Sequence, residues 1–467
     1  MTNFDLQTTF PKRVTIIGAA RSGLAAAAFF AKRNVQLFIS DSCAPDRLEE
    51  ILAGKGLCGV AHEAGAHSGE VLESDCIILS PGVPSDLPIL IEAKKRSIPV
   101  LSEMELGYRA SKAVFLAVTG STGKSTTVSL LGEALAAGGK RSVVAGNIGL
   151  PVIGEVADLP PDAIVAVEVS SFQLETIEKF RPLGAAVLNL MKNHLDRYAD
   201  EDGYYNAKKE IARNFTKENY LVLNRSDEKL VAWAEVMKHR TNIFWFSGAP
   251  IDAAAGNAVW YDASSHRIRY RFGGTEGTIL DVRDMRITGR HNFENAAAAA
   301  ALAKIAGIAD TAIGQGIARF AGLPHRLEFA GEIGGVRYYN DSKSTTAESV
   351  SCAISAFGNN VHLIAGGRDK GCDFTVVRDA LQQHVKDVCL IGEASVRMQS
   401  LWKGIVPIFR TSTLEEAVTI ASHQAVPGDV VVFSPGCSSF DMFANYDERG
   451  RIFREIVSVL KPERGVS

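Results

Sequence analysis

Between the apolar run Ala113 to Val118 and a helix-forming run that reaches about Ala137 lies Thr119-Gly-Ser-Thr-Gly-Lys-Ser-Thr126. A glycine-rich turn from a buried strand into a helix commits this part of the chain to a parallel α/β sheet. It also aims backbone N–H groups and a helix N-terminus at a shared anion, which suits a polyphosphate. Gly120 and Gly123 permit close backbone approach, with Ser121 and Thr122 between them. Lys124 supplies a point charge to the outer phosphates, and Ser125 or Thr126 can ligate Mg²⁺. The bland alternative is a glycine-rich turn with no ligand. The longer general pattern wants glycine where Val118 stands, so the loop has the shorter TGxxGKS form.

The same alternation runs along the whole chain. Val14 to Ile17 leads into Gly18-Ala-Ala-Arg-Ser-Gly23, an Ala-rich helical stretch and a second strand, Val35 to Ile39, closed by Asp41. Cys76 to Leu79 and Ile98 to Leu101 extend that first α/β run. Ile164 to Val169 and Ala185 to Leu190 extend the second. Short segments between about Asn242 and Val282, with Gly273-Gly274, suggest a small antiparallel insert. Gly322-Leu-Pro-His-Arg326 is turn-rich and reads as a boundary. Strands at Arg337 to Tyr339, His362 to Ile364, Val388 to Ile391 and Val430 to Phe433 form a third alternation. The expected fold class is therefore α/β with three domains, at 1–107, 108–322 and 323–467. The outer two are Rossmann-like and the central one is a phosphate-loop domain with a parallel sheet.

A chain of 467 residues is long enough for several cores. Its formal net charge of -3 gives no basic footprint for nucleic acid. Seven scattered cysteines without a CxxC pair argue for free thiols in a reducing cytoplasm rather than disulfides or a zinc ribbon. The N-terminus lacks the order of a signal peptide, and the apolar stretch Leu24 to Ala31 is too short to span a bilayer.

Three further residues invite chemistry. Glu168 ends the apolar strand Ile164-Val-Ala-Val-Glu, where an acid is costly unless paired with a cation or metal. Carboxyl ends of parallel strands border the ligand crevice, so Glu168 could reach a metal held by the phosphate loop; the alternative is a salt-bridged edge residue. His194 also trails a strand end, although a lone histidine is more often structural. Lys208, in the helical stretch Tyr204 to Ile211, reads by itself as a surface lysine.

Together these segments resemble the Mur ligase family. The loop at 119–126, Glu168, His194-Leu-Asp-Arg and Tyr-x-x-x-Lys208 occur in the family's order. They are followed by Gly289-Arg-His-Asn-Phe-Glu-Asn295, Gly322-Leu-Pro-His-Arg326, Asn340-Asp-Ser-Lys343 and Ser434-Pro-Gly-Cys-Ser-Ser-Phe440. Within the family, Glu168-Val-Ser-Ser-Phe-Gln-Leu-Glu175, Gly146-Asn-Ile-Gly-Leu-Pro151 and Gly366-Gly-Arg-Asp-Lys-Gly-Cys-Asp-Phe374 look like the D-glutamate-adding type.

The resemblance implies a cytoplasmic, ATP-dependent ligase of peptidoglycan precursor synthesis, monomeric, joining D-glutamate to UDP-N-acetylmuramoyl-L-alanine. It implies two Mg²⁺ ions: one on Ser125 and Glu168, the other on His194 and on Lys208 carbamylated by CO₂, with Lys209 a competing candidate. It assigns ATP contacts to the loop 120–126 and to Asn292, Arg326, Asp341 and Lys343. Arg21, Ser22, Asp41, Gly82, Asn147 and His194 are implied for the UDP substrate, and Thr345, Lys370, Ser439 and Phe440 for D-glutamate. Lys124, His194 and Lys208 would be the catalytic residues. Departures from the family pattern are Ala20 in the first glycine motif, Cys43 where a basic residue is usual, and Thr122 and Thr346 in place of asparagine. Rival readings are a sibling adding L-alanine or a diamino acid, a folylpolyglutamate synthetase, and a regulatory nucleotide-binding protein without ligase chemistry.

Overall fold

The computed structural model describes residues 6, 9–191, 198, 200–287, 289–369 and 371–460. The chain divides into two compact units, 1–320 and 321–467. The first unit holds two sheets. The expected boundary at residue 107 falls inside it, within the helix Glu103–Ala110.

The first sheet contains β1 (Arg13–Ile17), β2 (Gln36–Asp41), β3 (Ala61–Ala64), β4 (Cys76–Leu79) and β5 (Val100–Ser102), in the order β3-β2-β1-β4-β5 and all parallel. The incomplete glycine motif after β1 has a packing reason. A Cβ on Gly23 would lie 1.9 Å from the Gly18 carbonyl oxygen, so only glycine lets the helix Arg21–Ala31 close onto the strand end. Ser80, just beyond β4, donates its hydroxyl to that same carbonyl at 2.8 Å.

The second sheet has nine strands: β6 (Val114–Thr119), β7 (Ser142–Gly146), β8 (Ile164–Glu168), β9 (Gly184–Val187), β10 (Tyr220–Asn224), β11 (Asn242–Ser247), β12 (Ala258–Asp262), β13 (Arg267–Phe272) and β14 (Thr275–Asp281). Their order is β14-β13-β12-β11-β10-β9-β6-β8-β7. Strands β6 to β10 pair in parallel, and those buried on both faces read as continuous apolar runs. The antiparallel segments expected at 242–282 are not a separate insert. β11 and β12 continue the parallel pairing, and β13 and β14 extend the sheet's edge as an antiparallel meander. The helices Lys124–Ala137, Arg290–Ile305 and Asp310–Arg319 pack together on one face. Ala296 to Ala301 of the helix Arg290–Ile305 are fully buried, and their small side chains let it pack against the phosphate-loop helix Lys124–Ala137.

The second unit is one six-stranded sheet of β15 (Glu328–Ile333), β16 (Val336–Asn340), β17 (Val361–Gly366), β18 (Val385–Ile391), β19 (Ile408–Arg410) and β20 (Val430–Phe433). Its order is β15-β16-β20-β17-β18-β19, parallel except for the β15–β16 hairpin.

At the N-terminal ends of its central strands, His362 is 1% exposed and is held between two acids. Nδ1 lies 2.8 Å from Asp387 and Nε2 3.1 Å from Asp429, which also accepts from Lys386 at 2.7 Å. Burial works against the imidazolium, but the bonds and charges of Asp387 and Asp429 outweigh it and raise the histidine above its ordinary value of 6.5. Its stabilisation is therefore fully present below that value and is lost as pH rises through the higher folded value. Urea midpoints should accordingly fall as the buffer is taken from about pH 6 to about pH 9. His362→Gln should remove that part of the slope; an unchanged slope in the variant would show that the histidine is neutral throughout.

Candidate functional site

Three parallel strands of the first unit end together. β6 lies between β8 and β9, and the chain leaves it in opposite directions, so the phosphate loop sits at the sheet's switch point. Gly123 is left-handed (φ 81°), and a Cβ there would meet the Asn295 side-chain oxygen at 2.4 Å. Asn295 also accepts from Thr127 at 3.2 Å and reaches Asn292 at 3.4 Å, which places Asn292 close to the loop. Ser125 and Thr126 open the helix Lys124–Ala137, whose N-cap Gly123 supplies no side-chain cap, an arrangement compatible with an anion at the first turn. Lys124 Nζ lies 2.9 Å from the Gly120 carbonyl and 3.1 Å from that of Ser121.

Not every amide of the loop faces the expected anion. Those of Ser121 and Thr122 both donate to Asn189 Oδ1 at 2.9 Å, and the Ser121 hydroxyl donates to the Met191 carbonyl at 2.9 Å. Asn189 follows β9. A shallow cavity lined by Asn189, Asn224, Asp227 and Lys229, among others, opens beside it.

Glu168, at the end of β8, is 2% exposed. Its Oε1 accepts from the Asn147 side chain at 2.7 Å, and its carbonyl accepts from the Asn147 amide at 3.0 Å. Its Oε2 is buried without a hydrogen-bond partner among the described residues. An orphaned carboxylate oxygen costs several kcal/mol unless a cation serves it, on the order of the penalty for a buried charge left alone.

Lys208, in the helix Glu201–Lys209, is 1% exposed and is not the surface lysine that its local sequence suggests. Its Nζ lies 4.5 Å over the Tyr204 ring, one turn earlier. Burial first, then the charge of Lys124, lowers its pKa to about 6 against the opposing pull of Glu168. Lys124, Glu168 and Lys208 thus share one neighbourhood, with Lys208 a neutral amine at pH 7. Lys209 is only half-buried and has no such setting. His194 lies outside the described residues.

In the first sheet, Arg21 and Ser22 begin the helix after β1, and Gly82 lies exposed in the loop after β4. Asp41 ends β2 and is committed to the backbone, accepting from Ala19 at 2.5 Å and from Cys43 at 2.8 Å. Burial opposes its charge, but these N–H groups hold the carboxyl below the usual range. These residues rim the carboxyl ends of the strands.

In the second unit, the loops after β16, β17 and β20 meet. Arg368 and Ser438 exchange backbone bonds at 2.9 and 3.1 Å, and Gly436 donates to the Ser344 carbonyl at 3.0 Å. Thr345 and Ser439 are thereby brought to one end of the sheet, beside the exposed ring of Phe440; Lys370 lies outside the described residues. Lys343 Nζ lies 5.8 Å from the Tyr446 ring centre. Asp341 faces inward, 3% exposed, accepting from the Leu327 amide at 3.1 Å and the Ser434 hydroxyl at 2.7 Å. Burial raises its pKa to about 6 against those bonds and the charge of Arg326. Asp341 therefore braces the turn that carries Arg326, where His325 and Leu327 both have positive φ.

Sequence reasoning passed over Asn189, Asn295 and Arg449. The two asparagines stand in segments already singled out, Asn295 three residues after Asn292, whereas Arg449 carries no local signal.

Three family models lie in sequence along the chain: Mur ligase MurD-like, N-terminal domain at 12–102; Mur ligase middle domain at 118–303; and Mur ligase, glutamate ligase domain at 325–437. A protein of Koribacter versatilis called UDP-N-acetylmuramoylalanine--D-glutamate ligase is 40% identical over 450 residues, 96% of this chain and 97% of its own. One of the same description from Acidobacterium capsulatum is 40% identical over 451 residues, 96% of each chain. Among solved structures, Thermotoga maritima MurF ligase in complex with ADP aligns with a TM-score of 0.60 at 15% identity, covering 97% of this chain and 99% of that one. UDP-N-acetylmuramate-alanine ligase MurC of the same organism aligns at 0.59 and 16%, covering 96% and 99%. At such identities the structures show a common fold. The end-to-end relatives and the three consecutive domain models show more: this three-domain α/β chain belongs to the Mur ligase family.

Proposed function

We propose that this enzyme joins D-glutamate to UDP-N-acetylmuramoyl-L-alanine at the expense of ATP, in peptidoglycan precursor synthesis in the cytoplasm. We further propose that it acts as a monomer, with domains at 1–107, 108–322 and 323–467. The observation that carries the chemistry is the juxtaposition of Glu168, with its orphaned Oε2, and the buried Lys208 beside the phosphate-loop lysine.

Ligation requires an alanyl carboxylate to attack the γ-phosphorus of ATP, giving an acyl phosphate and ADP. The D-glutamate amine then attacks the acyl carbon, and the tetrahedral adduct collapses to amide and phosphate. The first step brings two anions together, so cationic neutralisation dominates. Lys124 turns its ammonium to the phosphates, and the uncapped amides at the start of its helix hold them in place. Asn292 and, from the second unit, Arg326, Asp341 and Lys343 are proposed as further ATP-binding residues. Glu168 and Ser125 would hold one Mg²⁺, and the lone oxygen of Glu168 fits that role. Lys208 and His194 would hold a second. The ions supply positive charge to the triphosphate and the attacking carboxylate.

A neutral lysine suits this site because only the free amine takes up CO₂. The C–N bond forms, a proton leaves, and a buried amine becomes the anionic carbamate that a metal ligand set needs. Arg21, Ser22, Asp41, Gly82 and Asn147 are proposed to bind the UDP substrate, with Asp41 acting through the loop it fixes. Thr345, Lys370, Ser439 and Phe440 are proposed to bind D-glutamate.

Phosphate release should require ATP, UDP-N-acetylmuramoyl-L-alanine and D-glutamate together, and should be absent with L-alanine or meso-diaminopimelate in place of D-glutamate. Lys124→Ala should lower it at least about 10²–10³-fold. Near-normal turnover in that variant would defeat the phosphate-loop assignment.

A further inference from the structure

Glu175 is tied to both sides of the site within the first unit. It follows the single-turn helix Ser171–Leu174, which a reciprocal cap fixes to the end of β8: the Gln173 amide donates to Ser170 Oγ at 3.3 Å, and the Ser170 amide donates to Gln173 Oε1 at 2.9 Å. Glu175 is thereby held at a set distance from Glu168. Each of its carboxylate oxygens receives a hydroxyl from a different segment. Ser85 donates to Oε2 at 2.8 Å from the loop after β4, three residues beyond Gly82. Tyr198 donates to Oε1 at 2.6 Å. The Tyr198 ring stacks near-parallel on Phe172 with centroids 6.0 Å apart, and packs at 5.5 Å on Tyr204, the ring beneath Lys208 Nζ. A contiguous line of contacts therefore runs from the loop of Gly82 through Ser85, Glu175, Tyr198 and Tyr204 to Lys208.

We propose that Glu175 is a positioning residue that couples occupation of the UDP-sugar loop to the placement of Lys208. The coupling rests on the function proposed above. Its logic is that one rigid carboxylate can satisfy both hydroxyls only when the two segments sit in register. Substrate that orders the 80–87 loop fixes Ser85, and the shared acceptor then favours the Tyr198 position that packs Tyr204 against Lys208. Glu175 does not reach the reacting atoms, so it acts on turnover and not on ATP affinity.

The full-length enzyme is tested as Ser85→Ala, Tyr198→Phe, the double variant, Glu175→Ala and Glu175→Gln. Each single hydroxyl deletion should lower kcat about fivefold, the equivalent of one hydrogen bond, with KM for ATP unchanged. Because both act through one carboxylate, the double variant should lose little more than the worse single. Glu175→Gln keeps an acceptor for one hydroxyl and offers an N–H to the other, so it should recover most of the activity that Glu175→Ala loses. Additive losses, full activity in the double variant, or a Gln variant as impaired as Ala would each overturn the proposal. Wild-type turnover checks the underlying function separately. Should the wild type prove inactive, hydrogen exchange still decides: UDP-N-acetylmuramoyl-L-alanine should slow exchange in the Glu201–Lys209 helix of the wild type and not of Glu175→Ala. No slowing in the wild type would sink the coupling.

Discussion

Replacing Lys208 with methionine is expected to remove ligation while making the first unit harder to melt. Methionine has nearly the same length and no charge, so the packing over Tyr204 survives. On the role proposed for Lys208, no amine remains to become an anionic ligand, so turnover should drop by at least about 10²–10³-fold. Stability should move the other way. The unfolded chain carries a protonated lysine, whereas the folded chain holds this one neutral, its value lowered from 10.5 to about 6 by burial and by Lys124. Shedding that proton on folding at pH 7 costs on the order of 5 kcal/mol, a penalty that methionine escapes. The native lysine makes stability rise with pH between those two values, since the unfolded state binds the extra proton; the variant should lose that rise. Calorimetry at two pH values, with a turnover assay alongside, checks both halves. An active variant, or one that melts lower than wild type, would contradict the assignment.

The second large effect concerns Arg449, which is fully buried in the second unit within the helix Tyr446–Val459. Its guanidinium donates to the Ser342 hydroxyl at 3.0 Å, the Ser342 carbonyl at 2.7 Å and the Cys437 carbonyl at 3.1 Å. Burial lowers its pKa to about 10, so it is still charged at neutral pH. Arg449→Ala strands those acceptors and opens a cavity, and should cost about 3–5 kcal/mol in urea unfolding. Arg449→Met should cost less, because it fills the space and removes the need to desolvate a cation. The tethered loops carry Lys343 and Ser439, proposed for ATP and D-glutamate, so KM for both should rise in whichever variant still folds. Equal stability of the alanine variant and the wild type would mean that the cation is not what joins these loops.

What could be read from the sequence, and what could not, follows from the range of the interactions. The burial of Glu168 was legible because it closes the apolar run Ile164 to Val167, and the strand–turn–helix of the glycine-rich loop because its glycines carry their own geometry. Lys208 became meaningful only through family resemblance. Its local setting, Asn206-Ala-Lys-Lys-Glu210, is that of a solvated helix face, and burial comes from tertiary packing. Arg449 was silent for the same reason, since its partner Ser342 is 107 residues away. The meander at β12–β14 was legible as antiparallel strands. Its attachment to the parallel sheet was not, because that depends on β11 pairing with β12, which alternation cannot reveal.

The grip of Asn189 on the Ser121 and Thr122 amides bears on how fast a nucleotide can be captured. A flexible glycine-rich segment would have to freeze around its guest, and each frozen residue would tax the encounter. Here the side chain of a neighbouring strand's extension already splints the turn. On the proposed function, the arriving triphosphate meets a turn already held in shape, and the amides that Asn189 occupies leave its phosphates to the start of the Lys124 helix.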